Sequence, residues 1–145
     1  MKFGIFYYDG VEPIDLATVG VLSIARRFDP SIEIITIAPK AGVVEFANGL
    51  KVHADYGFDN APQVDALIVT GGATWVVQSK DPATLAFLQE RARCDTTLAG
   101  ICTGAMVLAA AGVLEGKAAT TRFLDVDMNL SPVKRMRDGY PGIEV

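Results

Sequence analysis

The chain has 145 residues, 50% of them apolar and 21% charged, with a formal net charge of −4. That balance supplies one continuous core and excludes a disordered chain. The negative charge argues against a nucleic-acid surface, and the one basic cluster, Lys134-Arg135-Met136-Arg137, stands beside Asp138 and reads as a solvated helix end.

In chain order, residues 2–8 form a strand-length apolar run that closes at Asp9, too short for a signal peptide and without a cleavage site. Residues 14–27 predict a helix, with apolar positions at Ile14, Leu16, Val19, Val21, Leu22 and Ile24. Residues 32–38 predict an isoleucine-rich strand stopped by Pro39, and residues 43–46 and 50–54 a hairpin around Asn48-Gly49, with positive φ at both turn residues. Residues 64–70 predict a buried strand ending at Gly71-Gly72. Asp81-Pro82 is the start signal of a helix reaching about Arg93. A strand to Ile101, a helix from Thr103 and a short strand near residues 118–122 follow. The closing Pro141-Gly142-Ile143-Glu144-Val145 reads as a turn and the opening of another strand.

Alternating β and α segments with uniformly apolar strands predict a flavodoxin-like, doubly wound α/β domain over residues 1–145, its mainly parallel sheet covered by helices on both faces. Ligands bind such sheets outside the carboxyl ends of the strands, where Asp9, Asp15, Gly71-Gly72 and Cys102 all fall.

The run Thr97-Leu98-Ala99-Gly100-Ile101-Cys102-Thr103-Gly104-Ala105-Met106 passes from strand to helix at Cys102. A sharp turn there projects the side chain into the crevice above the sheet, beside unpaired helix N–H groups that favour an anion, the form in which a thiol attacks electrophiles. Gly100 and Gly104 leave room for the corner, so Cys102 reads as a nucleophile; the competing reading is a buried thiol packing as a small hydrophobe. Gly71-Gly72 after the preceding strand offers backbone N–H groups to a developing negative charge, or is an ordinary strand-end turn. Asp15, amid apolar neighbours in the first helical turn, is a candidate acid/base, with Glu12 and Asp9 as competitors; otherwise it is an acid favoured by the helix dipole.

His53, the one histidine, lies on a predicted hairpin strand and suggests no Cys-His pair; Cys94 reads as a bystander. Trp75 either walls a small pocket or packs in the core. No metal-ligand spacing is present, and no metal or organic cofactor is expected. No apolar run approaches the roughly 18 residues of a membrane span. Two cysteines, one in a strained turn, point to a reducing compartment and a cytoplasmic location.

Gly100-Ile101-Cys102-Thr103-Gly104, the glycine pair Gly71-Gly72 and the acid in Ile14-Asp15-Leu16 together resemble the ThiJ/PfpI superfamily, whose fold is like that of class I glutamine amidotransferases. The resemblance extends through residues 111–121, Ala-Gly-Val-Leu-Glu-Gly-Lys-Ala-Ala-Thr-Thr. The Cys-Thr-Gly and the aspartate look most like isonitrile hydratase and the sensor domains of AraC-type regulators. The resemblance implies Cys102 as nucleophile, Asp15 as acid/base beside the thiol, Gly72 and Thr103 as N–H donors near an oxyanion site, and the Thr103 hydroxyl as a further substrate contact. It also implies a homodimer.

Thr103 stands where protease-like members carry histidine, which argues against peptidase activity. Arg122 replaces a histidine of hydratase-like members, and relatives continue through another glycine-rich strand turn and a closing helix, so the chain is expected to be C-terminally truncated. The expected function is hydration or hydrolysis of a small electrophilic substrate, an isonitrile giving an N-substituted formamide. The alternatives are a ligand- or oxidant-sensing domain and an inactive fragment.

Overall fold

A computed structural model describes residues 1–123 and 131–145. Along the described residues run the strands β1 (Lys2–Phe6), β2 (Glu33–Ile37), β3 (Gly42–Glu45), β4 (Lys51–Ala54), β5 (Ala66–Val69) and β6 (Thr97–Gly100). Between and after them lie a 3-10 turn (Pro13–Leu16) and the helices α1 (Ala17–Ala25), α2 (Trp75–Gln78), α3 (Pro82–Arg93), α4 (Gly104–Ala110) and α5 (Pro132–Gly139).

Four strands make one parallel sheet in the order β2-β1-β5-β6, and β3 and β4 pair antiparallel apart from it. In the sheet, Phe6 sits opposite Ile37 on one side and Val69 on the other, and Val69 sits opposite Gly100. From β1 the chain moves through α1 to β2 on one side; from β5 it moves through α3 to β6 on the other. Right-handed crossovers then set α1 and α3 on opposite faces, as expected of a doubly wound sheet. The reversal opens a crevice at the carboxyl ends of β1 and β5.

The core gathers where the inner strands meet α4. Ile5, Phe6, Leu67, Val69 and Val107 are fully buried, and α4 is buried from Gly104 to Ala109. A second cluster joins Met106 and Ala109 to Met136 and Ile143, tying the last described residues to α4.

Four details differ from the sequence expectation. The 14–27 helix splits into the 3-10 turn and α1, the turn being tied to Gly71 through the Glu12 N–H and the Asp15 carboxylate. Its apolar residues divide as well: Leu16, Val19 and Leu22 pack on the core, while Ile14, Val21 and Ile24 face outward with Phe28. Of the two turn residues only Gly49 takes positive φ (+80°), and Asn48 closes the turn by accepting the Leu50 N–H on its side-chain oxygen. Residues 118–122 form no strand; Ala118 makes one parallel bridge to Glu144.

Candidate active site at the β6–α4 corner

Cys102 stands between β6 and α4 at φ +51°, a left-handed conformation that costs a residue bearing a β-carbon about 1–2 kcal/mol. The surroundings hold it there. The Ile101 N–H bonds to the Val69 carbonyl (3.0 Å), the Gly104 N–H to the Ile101 carbonyl (2.8 Å), and the Thr121 hydroxyl donates to the Cys102 carbonyl (2.8 Å). A β-carbon at Gly104 would collide with the Val69 carbonyl, and one at Gly100 would lie 2.7 Å from the Ala105 α-carbon. Both glycines are thus required by close approach of α4 to the sheet, as the sequence suggests.

Gly71 touches both expected reactive groups. Its N–H donates to Oδ2 of Asp15 at 2.6 Å, and a β-carbon added to it would stand 2.7 Å from Cβ of Cys102 and 2.5 Å from the Thr103 nitrogen. Asp15 therefore lies on the other side of one small residue from the cysteine. The loop carrying Asp15 is pinned to the same pair: the Glu12 N–H donates to the Gly71 carbonyl (3.0 Å), and Val11 bridges Gly72 antiparallel. Asp15 is buried, and burial raises its pKa above the usual carboxylate value; the Gly71 N–H opposes that shift and the charge of Glu12 adds to it.

Gly71 and Gly72 hold side chains rather than an open donor pair. The Gly72 N–H donates to the Thr103 hydroxyl at 2.9 Å, and that hydroxyl is buried and returns a 3.2 Å hydrogen bond to the Gly72 carbonyl. Of the N–H groups expected at an oxyanion site, those of Gly71 and Gly72 are thus committed to Asp15 and Thr103, while no such bond among the described residues engages the Thr103 N–H; the Thr103 hydroxyl faces the glycine pair. A tight strand-end turn buries its N–H groups, and buried donors take the nearest acceptor.

Of the competing acids, Asp9 is used structurally, accepting the Glu45 N–H at 2.9 Å, and Glu12 remains half-buried beside Asp15. His53 is exposed on β4, and Cys94 is exposed at the end of α3. Trp75 does both things allowed for it, lining a cavity and packing against both core clusters.

Two contributors escaped the sequence reading. Tyr8 is buried at the end of β1 with its hydroxyl donating to the Thr70 carbonyl (3.1 Å), and burial together with the Asp15 and Cys102 charges keeps that hydroxyl firmly protonated. Burial, then Asp15, pushes the neighbouring Tyr7 up to about 12. The signal was two tyrosines at the carboxyl end of a central strand. Thr121, which fixes the Cys102 carbonyl, has no comparable local signal. Among the described residues no group of three or more His, Cys, Asp or Glu is placed to hold a metal ion.

A parallel sheet flanked by helices, with a cysteine in a left-handed strand-to-helix corner and a buried carboxyl bonded to the neighbouring glycine pair, defines an α/β domain with its candidate site at that corner. The chain belongs to the DJ-1/PfpI family, which it matches over residues 1–135. It is 33% identical over 120 residues to an uncharacterised protein of Streptomyces lividans encoded in the cpoL 5′ region, covering 82% of this chain and 85% of that one. It is 29% identical over 145 residues to isonitrile hydratase of Pseudomonas putida, covering 96% of this chain but 62% of the hydratase. Over 97 residues it is 34% identical to the HTH-type transcriptional regulator GbdR of Pseudomonas aeruginosa, covering 67% of this chain and 24% of the regulator. The fold matches a DJ-1 superfamily protein of Agrobacterium tumefaciens with TM-score 0.74 at 24% identity, over 99% of this chain and 70% of that one.

Proposed function

We propose that the chain is a cysteine-dependent hydratase or hydrolase of a small electrophilic substrate, with Cys102 as nucleophile and Asp15 as acid/base. The observation that carries this reading is Gly71, which fixes Asp15 by its N–H and stands so near Cys102 that a β-carbon added to it would lie 2.7 Å from the cysteine Cβ. Burial raises the Asp15 pKa, so its carboxyl holds a proton above the usual carboxylate range, which suits it to deliver that proton and take one back.

For an isonitrile, the Cys102 sulfur bonds to the terminal carbon as Asp15 delivers a proton to that carbon, giving a thioimidate. Water adds to the same carbon, one of its protons passing to Asp15 as base and the other to the thioimidate nitrogen, which leaves a tetrahedral alkoxide. Collapse expels the thiolate and leaves the N-substituted formamide, so one water is consumed and the thiol is regenerated. With the Gly71 and Gly72 N–H groups committed, charge developing on the substrate is met by the backbone N–H of Thr103 at the start of α4.

The test is turnover of a panel of small alkyl isonitriles, followed as formamide by liquid chromatography and mass spectrometry. The wild-type chain should form product and the Cys102→Ala variant should not; equal product from both removes the proposal. Matching GbdR over 97 residues favours a second reading, a ligand-sensing domain, in which small molecules bind without being consumed.

We also infer a homodimer and a cytoplasmic location. Ile14, Val21, Ile24 and Phe28 are 75%, 66%, 56% and 86% exposed and recur at helical spacing, an apolar stripe that a second copy would cover. The location is supported by two free cysteines, Cys94 and Cys102, which suit a reducing compartment. No described helix is long and apolar enough to cross a membrane.

A further inference from the structure

The basic cluster Lys134-Arg135-Met136-Arg137 is divided by α5 rather than solvated as a unit. Lys134 pairs with Asp138 one turn on, Met136 is fully buried and Arg137 is exposed. Arg135 turns inward. Half-buried, it lines a cavity of about 240 Å³ with Gly72, Trp75, Val76, Thr103 and Arg122. Its guanidinium makes no hydrogen bond or ion pair among the described residues.

We propose that this cavity is an anion subsite next to the elbow, and that the substrate is a small organic carboxylate carrying the electrophilic carbon. A guanidinium is always charged and presents planar donors in a fork that matches a carboxylate. Removed partly from water and left without an acceptor among the described residues, that fork has a donor set to fill. The cavity shares Gly72 and Thr103 with the elbow, which places a bound anion close to Cys102. Arg122 follows Thr121, the residue that holds the Cys102 carbonyl, so a second cation is fixed to the same corner. Trp75 and Val76 make an apolar wall for a short carbon chain, which favours an organic carboxylate over inorganic phosphate. The substrate assignment rests on Cys102 attacking an electrophile; the anion site itself does not.

Trp75 is the single tryptophan and lies on the cavity wall, so its fluorescence reports occupancy. The experiment titrates the Cys102→Ala variant with propionate, the neutral isostere propanamide and inorganic phosphate. Propionate should give a saturable change and propanamide none. Adding Arg135→Gln should weaken propionate roughly tenfold or more, and Arg135→Lys should restore part of the loss, with unchanged far-ultraviolet circular dichroism. No saturable response to propionate, an equal response to propanamide, or unchanged affinity in Arg135→Gln overturns the site. Phosphate binding as tightly as propionate overturns the carboxylate assignment and keeps the anion site. Because Cys102→Ala cannot attack, propionate binding without turnover by the wild-type chain sinks the hydratase reading and spares the site. Turnover of neutral isonitriles without propionate binding does the reverse.

Discussion

The Gly71 N–H donates to Oδ2 of Asp15 at 2.6 Å, and this bond joins the loop after β1 to the end of β5 beside Cys102. It is also what restrains the Asp15 pKa, since burial raises it and the Gly71 N–H pulls it back.

Ionising Asp15 should oppose folding. A carboxyl whose pKa is higher in the folded chain holds its proton more tightly there, so the two states are alike below the ordinary value of 3.8 and the fold loses stability as pH rises above it, until Asp15 is ionised in both states. Asp15→Asn keeps an acceptor for Gly71 and has no charge to bury. Its melting temperature should exceed that of the wild-type chain at pH 7, and the difference should vanish by about pH 3.5; a lower value at pH 7 would contradict the burial argument.

The same variant should lose activity. General acid–base groups contribute roughly 10²–10⁴-fold, so Asp15→Asn should cut kcat/KM by about that factor with intact circular dichroism. In the wild-type chain the acid-dependent step should weaken as pH rises through the Asp15 pKa, and that limb should be missing from the residual activity of Asp15→Asn.

Gly71→Ala should damage the site more than the fold. Its β-carbon would press 2.7 Å from Cβ of Cys102 and 2.5 Å from the Thr103 nitrogen. Overpacking of that kind costs about 1–3 kcal/mol, which denaturant titration reads directly, and turnover should be lost even where the chain stays folded.

α3 begins at Asp81, whose carboxylate accepts from the Thr84 N–H (2.9 Å) and hydroxyl (2.7 Å), bonds that hold its pKa below the usual range. Asp81→Ala should cost about 1 kcal/mol of stability at pH 7. The loss should shrink in acid, because a carboxylate with a lowered pKa stabilises the fold above its unfolded pKa and ceases to do so as pH falls through its folded one.

The outward stripe on α1 should mediate self-association. Light scattering after size-exclusion chromatography should give a dimer for the wild-type chain and a monomer for Val21→Glu combined with Ile24→Glu; a wild-type monomer removes the dimer.

Much of this architecture is legible in the sequence because the strands are short apolar runs with clear stops. The elbow is legible for the same reason: Gly100 and Gly104 flank Cys102, and close packing of α4 on Val69 demands them. What the sequence hid depends on partners distant in the chain. The commitment of the Gly71 and Gly72 N–H groups needs Asp15 and Thr103 brought from either side, and Thr121 reaches Cys102 from 19 positions away. α1 misled because it is apolar around most of its circumference, so periodicity alone could not say which residues face the core. Arg135 reads as solvated in sequence, and it is the packing of α5 that brings it to the cavity wall.

The most direct test is rapid-quench mass spectrometry of the chain mixed with a small alkyl isonitrile and, in parallel, iodoacetamide, followed by peptide mapping. An attacking thiol at Cys102 gives an isonitrile adduct on the Cys102 peptide that rises and decays with formamide release, and faster iodoacetamide labelling at Cys102 than at exposed Cys94. Labelling confined to Cys94, with no adduct at Cys102 from either reagent, would contradict the central claim that the β6–α4 corner presents an attacking thiol.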